Sequence, residues 1–228
     1  MTDVNAGVNA GRRRYSSALR QSQAATTRRA VLDAARALFL AHGYAATTMD
    51  DIAARAGVSK PTVFSAVGNK QAVLKEVRDL AIAGDDRPIP IRDRPLTERV
   101  RAEPDRQQSI SMVARHLTEV AARYAPVFDL LRAAAANGEH EIKALWETEE
   151  QQRLAGARSW VTTLKAKPGP PLRGSVHTAI DALWLYMAPD HYTRLVIQRG
   201  WTPQRYRRWL TRLITDLFEP SDLSAERR

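Results

Sequence analysis

A chain of 228 residues accommodates one large domain or two small ones, and its 44% hydrophobic content is enough for a substantial core, which excludes a wholly disordered protein. The absence of cysteine excludes disulfides, thiolate metal sites and cysteine nucleophiles. A formal charge of +10 favours polyanionic partners, nucleic acid before membranes. No segment has the ~18 apolar residues of a membrane span, and the polar start from Met1 to Ala10 lacks the apolar stretch of a secretory signal. A cytoplasmic protein that does not engage membranes is expected.

The positive charge is concentrated early: residues 1–80 carry 12 basic and 6 acidic side chains, against 23 and 19 in residues 81–228. Residues 1–26 show no apolar period and contain Arg12, Arg13 and Arg14, so they are expected to form a disordered basic arm. From Thr27 the pattern turns helical, with Val31, Ala34, Ala35, Leu38, Phe39 and His42 on one stripe and Gly43 as the stop. Thr48 and Asp51 form a capping box for a second, short helix that ends at Gly57. Ser59 caps a third helix running to about Val67, and Asn69 a fourth carrying Val73, Leu74, Val77 and Leu80.

The breakers in Gly84-Asp85-Asp86-Arg87-Pro88-Ile89-Pro90, with Pro95 after them, mark a connector over 84–96. Helices are then expected over 106–124, 126–136, 139–165, 172–187, 189–199 and 203–218, with Pro126 and Pro189 in first turns. Thr202-Pro203 reads as a cap followed by a first-turn proline, just after Gly200 closes the preceding helix. No strand and no internal repeat emerge, so the fold class is all-α. A domain over 27–83 precedes a helical domain over 97–219, with a polar tail over 220–228.

The informative stretch is MDDIAARAGVSKPTVFSAV, Met49 to Val67. A helix-turn-helix joins two short helices at a steep angle by a tight turn. Ala53 supplies the small residue where the helices touch, and Gly57, four residues on, the left-handed turn position. Ile52, Ala56, Val58, Val63 and Ala66 fill the inner face, leaving Lys60, Pro61, Thr62, Phe64 and Ser65 facing outward. An ordinary core hairpin would share any one of these features; the whole set in a basic segment favours duplex DNA.

The segment from Thr27 to about Leu80 resembles the N-terminal domain of TetR/AcrR-type regulators. Gly43-Tyr44, Thr47-Thr48, Ile52-Ala53, Ala56-Gly57-Val58-Ser59 and Gly68-Asn69-Lys70 carry the likeness. The recognition helix departs from it: Thr62-Val63-Phe64-Ser65-Ala66-Val67 stands where Thr-Leu-Tyr-Tyr-His-Phe is common, and Pro61 where glycine is frequent. Tyrosine and histidine contacts are therefore not carried over to 64–66.

At the site itself, Thr47 and Thr48 at a helix start offer a phosphate site, capping being the plainer role of Thr48. Ser59 opens the recognition helix beside them. Lys60 can reach a phosphate or a guanine edge, Thr62 and Ser65 can hydrogen-bond, and Pro61 and Phe64 can touch a thymine methyl, with core packing the alternative for Phe64. Lys70, a cation at a helix N-terminus, is explained by a phosphate partner, and the resemblance implies the same. Arg12, Arg13 and Arg14 either enter a minor groove or remain solvated.

Sequence-specific binding needs two such domains set by a dimer. The last helix offers a broad apolar face in Tyr206, Trp209, Leu210, Leu213, Ile214 and Leu217, and Val176, Ile180, Leu183, Trp184 and Met187 a matching one. The resemblance implies a four-helix interface from these, with packing inside one subunit the alternative. It also implies an effector pocket among the middle helices, for which Met112, His116, Tyr124, Phe128, Trp146 and Trp160 are candidates, ordinary core being the plainer role of each.

The expected protein is thus a homodimeric regulator, a repressor released from a palindromic operator by a small organic effector. The alternative is sequence-independent DNA binding, or an effector-insensitive regulator, on the same fold. An enzyme is disfavoured: the five histidines are scattered, and no zinc pattern, nucleophile elbow, phosphate loop or dinucleotide fingerprint occurs, so no cofactor is expected.

Overall fold

The computed structural model describes residues 4–85, 87, 89, 93–137 and 140–218, and for 4–18 and 140 the backbone alone. The described residues form ten α-helices, one π-helical stretch and no strand, the all-α fold expected. The chain divides into two units, Met1–Val77 and Arg78–Arg228.

In the first unit, α1 spans Val4–Ala46, α2 Met49–Ala56 and α3 Lys60–Ala66. The backbone of α1 leaves helical geometry at Gly43 (φ 83°, ψ 167°), where the sequence placed a stop. Its apolar stripe is buried as the period requires: Val31, Leu32, Ala34, Ala35 and Phe39 are all under 9% exposed, and they pack with Ile52, Ala53 and Val63 of α2 and α3. The expected arm over 1–26 needs correction. Residues 19–26 are helical and almost wholly exposed. Leu, Arg, Gln and Ala there are good helix formers, and they extend a helix already nucleated by the packed turns beyond. Missing periodicity marked an unburied helix, not an irregular chain.

The cap of α2 is the reciprocal box read from the sequence. Thr48 Oγ1 accepts from the Asp51 amide at 3.1 Å, and the Thr48 amide donates to Asp51 Oδ2 at 2.9 Å. The Thr48 hydroxyl, donating to Asp51 Oδ2 at 2.7 Å, and then the Thr48 amide hold the Asp51 carboxyl below its usual pKa. At the far end Gly57 takes the left-handed conformation (φ 69°, ψ 30°), with its amide on Ala54 O and that of Val58 on Ala53 O. A Cβ at Gly57 would meet nothing within 4 Å. Gly57→Ala is therefore expected to cost only the left-handed strain, about 1–2 kcal/mol, measured by urea denaturation followed by helical circular dichroism. A loss near zero would show that the turn tolerates another geometry.

Ser59 caps α3, accepting from the Thr62 amide, and Asn69 Oδ1 accepts from the Ala72 amide at 2.9 Å at the start of α4, Lys70–Ala83. The division between units falls inside α4, not in the stretch 84–96 expected as the connector. Within the second unit the last turns of α4 are held by side chains: Arg123 donates to Ala81 O at 3.2 Å and to Ile82 O at 3.3 Å.

The second unit is built around α6, Arg106–Ala136, flanked by α5, Pro95–Ala102, and α7, His140–Lys165. Then follow α8, Val176–Tyr186, α9, Asp190–Tyr192, the π-helical stretch Thr193–Gln198, and α10, Pro203–Thr215. Pro95, taken as a breaker, is the first residue of α5. Pro126, taken as a new helix start, lies inside α6. Val127, Phe128 and Leu131, all 3% exposed or less, continue the buried stripe of Leu117, Ala121 and Tyr124. Each such apolar side chain contributes about 1.5–3 kcal/mol, which offsets the hydrogen bond Pro126 cannot donate. The helix expected from 172 starts at Val176 behind the Ser175 cap, and that over 189–199 is a short α-helix running into a π-helix. Thr202 and Pro203 open α10 as read. The expected tail over 220–228 lies outside the described residues.

Among the described residues no helix is long and apolar enough to cross a membrane, and no group of three or more acidic or histidine side chains is placed to hold a metal ion.

Candidate functional site

The packing of α2 and α3 against α1 splits α3 into two faces. Val63 is fully buried, whereas Phe64 is 45% exposed and Lys60, Pro61 and Ser65 lie on the same outer side, with Thr62 half-buried. Phe64 is thus a surface residue, and the core alternative for it is excluded. The other end of α3 is anchored by Arg28 of α1, whose Nη1 donates to Ala66 O at 3.1 Å while Nη2 pairs with Glu76 at 2.7 Å. Sequence reasoning missed Arg28, because its partners are 38 and 48 residues away along the chain.

Two expected contacts are used internally. Thr47 is 1% exposed and its hydroxyl donates to Gly43 O at 2.9 Å, so its side chain closes the turn after α1 and is not presented outward. Thr48 is exposed, but its hydroxyl and amide are both engaged with Asp51. Ser59 and Thr62 share a hydroxyl contact of 2.8 Å. Lys60 Nζ pairs with Asp50 at 2.9 Å, both side chains largely in water, where such a pair is worth little and yields to a competing anion. Lys70 Nζ donates to Ala45 O at 3.2 Å and lies 4.3 Å from the centre of the Tyr44 ring. The side chains of Arg12, Arg13 and Arg14 lie outside the described residues.

In the second unit the apolar faces read as a dimer surface are divided. Ile180, Leu183, Tyr206, Leu210 and Ile214 are under 9% exposed in the subunit's own core, so they cannot form a contact surface. Here α10 packs chiefly along α6, and α8 along α7. Val176, Trp184, Met187, Trp209, Leu213 and Leu217 are only partly covered, and Leu185, between them, is 52% exposed.

The candidate effector residues form separate groups. His116 meets Trp160 edge-on at 6.4 Å, and burial holds its imidazole below the ordinary histidine pKa. Tyr124, Phe128 and Trp146 form a second stack, with centroids 5.8 and 5.1 Å apart. Met112 packs at the margin of the core. Beside the second stack lies a buried polar group that sequence reasoning missed, made of Arg78, Glu149 and Arg153. Burial pushes the Glu149 carboxyl above its usual range against the pull of both arginines, and pushes the Tyr124 hydroxyl up as well.

An all-helical chain whose first unit presents one side of a short, capped helix behind a glycine turn is a helix-turn-helix protein. Residues 31–77 match the profile of bacterial regulatory proteins of the tetR family. No curated protein matches the chain in sequence. Three solved structures share its fold. One, from Mesorhizobium loti and described as a TetR-family transcriptional regulator, is 21% identical over 85% of this chain and 96% of its own, with a TM-score of 0.58. A Clostridium perfringens protein described as a fatty acid metabolism regulator is 15% identical over 84% and 100%, at 0.61. A Rhodococcus protein described as a TetR-family transcriptional regulator is 14% identical over 86% and 100%, at 0.60. Residues 31–77 thus carry the helix-turn-helix of the tetR family, and the chain as a whole shares the fold of these three proteins.

Proposed function

We propose that the protein is a homodimeric repressor that reads a palindromic operator in the cytoplasm through α3 of each subunit and releases it when a small organic effector occupies the second unit. The observation that carries this reading is the split of α3. Val63 is buried completely while its neighbour Phe64 is 45% exposed, so the helix is fixed to the unit by one side and free along the other. Lys60 and Ser65 supply polar contacts there, and Pro61 and Phe64 a surface for thymine methyls. The partly covered residues of α8 and α10 are the dimer surface left once the buried ones are removed from it. An effector acts by favouring a dimer geometry in which the two recognition helices no longer match successive major grooves.

The test is selection of bound duplexes from a random DNA pool. Enrichment of a palindrome, preferred over bulk DNA by ~10³-fold or more, is expected. Binding without enrichment would leave a sequence-independent binder and overturn the reading.

Lys70 is assigned to a phosphate because it is a cation at the N-terminus of α4. Lys70→Ala is expected to weaken binding equally for all sequences and to lower the slope of log affinity against log salt by about one, with Lys70→Arg retaining most of both. An unchanged slope would remove Lys70 from the interface.

A further inference from the structure

Arg78 in the second half of α4, Tyr124 of α6, and Glu149 and Arg153 of α7 form a cluster that core packing does not complete. Arg78 and Glu149 are each 5% exposed and Tyr124 2%, and the Arg153 side chain is 9% exposed. Each guanidinium uses Nη2: Arg78 on Gln152 Oε1 at 2.8 Å and Asp79 Oδ1 at 2.7 Å, Arg153 on Glu150 Oε2 at 2.5 Å. Nε and Nη1 of both arginines, the Tyr124 hydroxyl and Trp184 Nε1 have no hydrogen-bond partner. The acceptors in the same condition are Glu149 Oε2 and Glu150 Oε1. Glu149 Oε2 stands 3.5 Å from Arg78 Nε, an ion pair without hydrogen-bond geometry, and the Tyr124 hydroxyl lies beside the same carboxyl.

Of these donors, Arg78 Nε and the Tyr124 hydroxyl face the Glu149 carboxyl, so the donors with no acceptor opposite them number four, against one acceptor, Glu150 Oε1. A cluster whose role is purely structural satisfies its own members, because a buried donor without an acceptor costs more than the pair it replaces. What completes this one must bring acceptors. The surroundings set the rest of the shape: the Arg153 guanidinium carbon is 5.5 Å from the Phe128 ring centre and 5.0 Å from that of Trp184, and Trp146 stacks on Phe128.

We propose that this cluster is the effector site and takes a small carboxylate with an apolar or aromatic body, its oxygens on Arg78, Arg153 and Tyr124 and its body on Phe128, Trp146 and Trp184. The proposal rests on the reading of the chain as an effector-responsive regulator. The probes are benzoate, 3-phenylpropanoate and octanoate, each paired with the alcohol of the same carbon skeleton. They are titrated into the full chain while the fluorescence of its tryptophans, two of them in this wall, is followed. At least one acid should bind about tenfold or more tighter than its alcohol, one guanidinium contact being worth that much. Tyr124→Phe, which keeps the packing and removes only the hydroxyl, should weaken that acid severalfold without lowering the melting temperature. Arg153→Met should abolish the preference for acid over alcohol.

Failure of all three acids to bind at millimolar concentration would overturn the proposal, as would equal binding of acids and alcohols, or unchanged affinity in Tyr124→Phe. A crystal structure with ordered water on each orphaned donor after soaking with the acids would do the same. Operator affinity is measured separately: intact DNA binding without acid binding removes only this inference, whereas absence of any DNA preference removes the reading beneath it.

Discussion

Arg106→Met should lower the stability of the second unit by about 3–5 kcal/mol, the largest loss expected from any single substitution considered. Arg106 opens α6 and is 9% exposed. Its guanidinium reaches the end of α7, donating to Leu164 O at 3.1 Å and also to Lys167 O and Pro170 O, and it lies 4.7 Å from the centre of the Phe218 ring. Burial lowers its pKa from the usual arginine value. A carbonyl in the last turn of α7 and two in the chain just after it are the complement of a buried cation. Methionine keeps the length and the contact with Phe218 but removes the guanidinium from all three carbonyls, leaving Leu164 O with the Lys167 amide alone. Arg106→Lys should fall between, since an ammonium cannot span the same fork. Urea denaturation followed by circular dichroism measures the loss, and a drop below about 1 kcal/mol would show that water replaces the guanidinium at little cost.

Phe64→Glu should separate folding from function. Phe64 is 45% exposed, so a carboxylate there can reach water, and the melting temperature should fall by only a few degrees. In the proposed complex the same change removes an apolar contact to a base and sets a carboxylate against phosphates. The expected loss of operator affinity is about 100-fold or more, equivalent to about 2.7 kcal/mol, in a gel-shift or anisotropy titration at fixed salt. Phe64→Leu should retain most of the binding. Undiminished affinity in the glutamate variant would place the DNA surface elsewhere, and a large fall in melting temperature would make Phe64 a packing residue.

What could be read from the sequence was local. The caps of Thr48 on Asp51, Ser59 on Thr62, Asn69 on Ala72 and Thr202 on Arg205 each join residues three positions apart, so neighbouring residues suffice to specify them. The outward face of α3 was legible for the same reason: Val63 alone of its central residues is apolar and inward. Proline was ambiguous. Pro95 and Pro126 have the same local chemistry, yet one starts a helix and the other sits within one, because the buried run through Leu131 continues past the second. The stripe of Tyr206, Leu210 and Ile214 announced burial truthfully but not its partner, which is the subunit's own α6. The Arg78–Glu149 pair, 71 residues apart, and the ion pair of Lys60 with Asp50 depend on how helices meet, and no spacing rule reaches them.

The π-helical stretch Thr193–Gln198 has a consequence for what the gene can tolerate. A wide turn of this kind is what an α-helix becomes on accommodating one surplus residue. Deleting a residue there would let the turn tighten into regular α-helix while the residues on either side keep their places, because the widened turn holds the surplus residue locally. Tyr192 before the stretch and Tyr206 after it meet ring to ring at 5.1 Å, and Trp209 closes on Tyr206 at 5.4 Å. The helix ends at Arg199, and the Gly200 turn (φ 69°) separates it from α10, so a one-codon loss within 193–198 is absorbed before it reaches the aromatic anchors of α10.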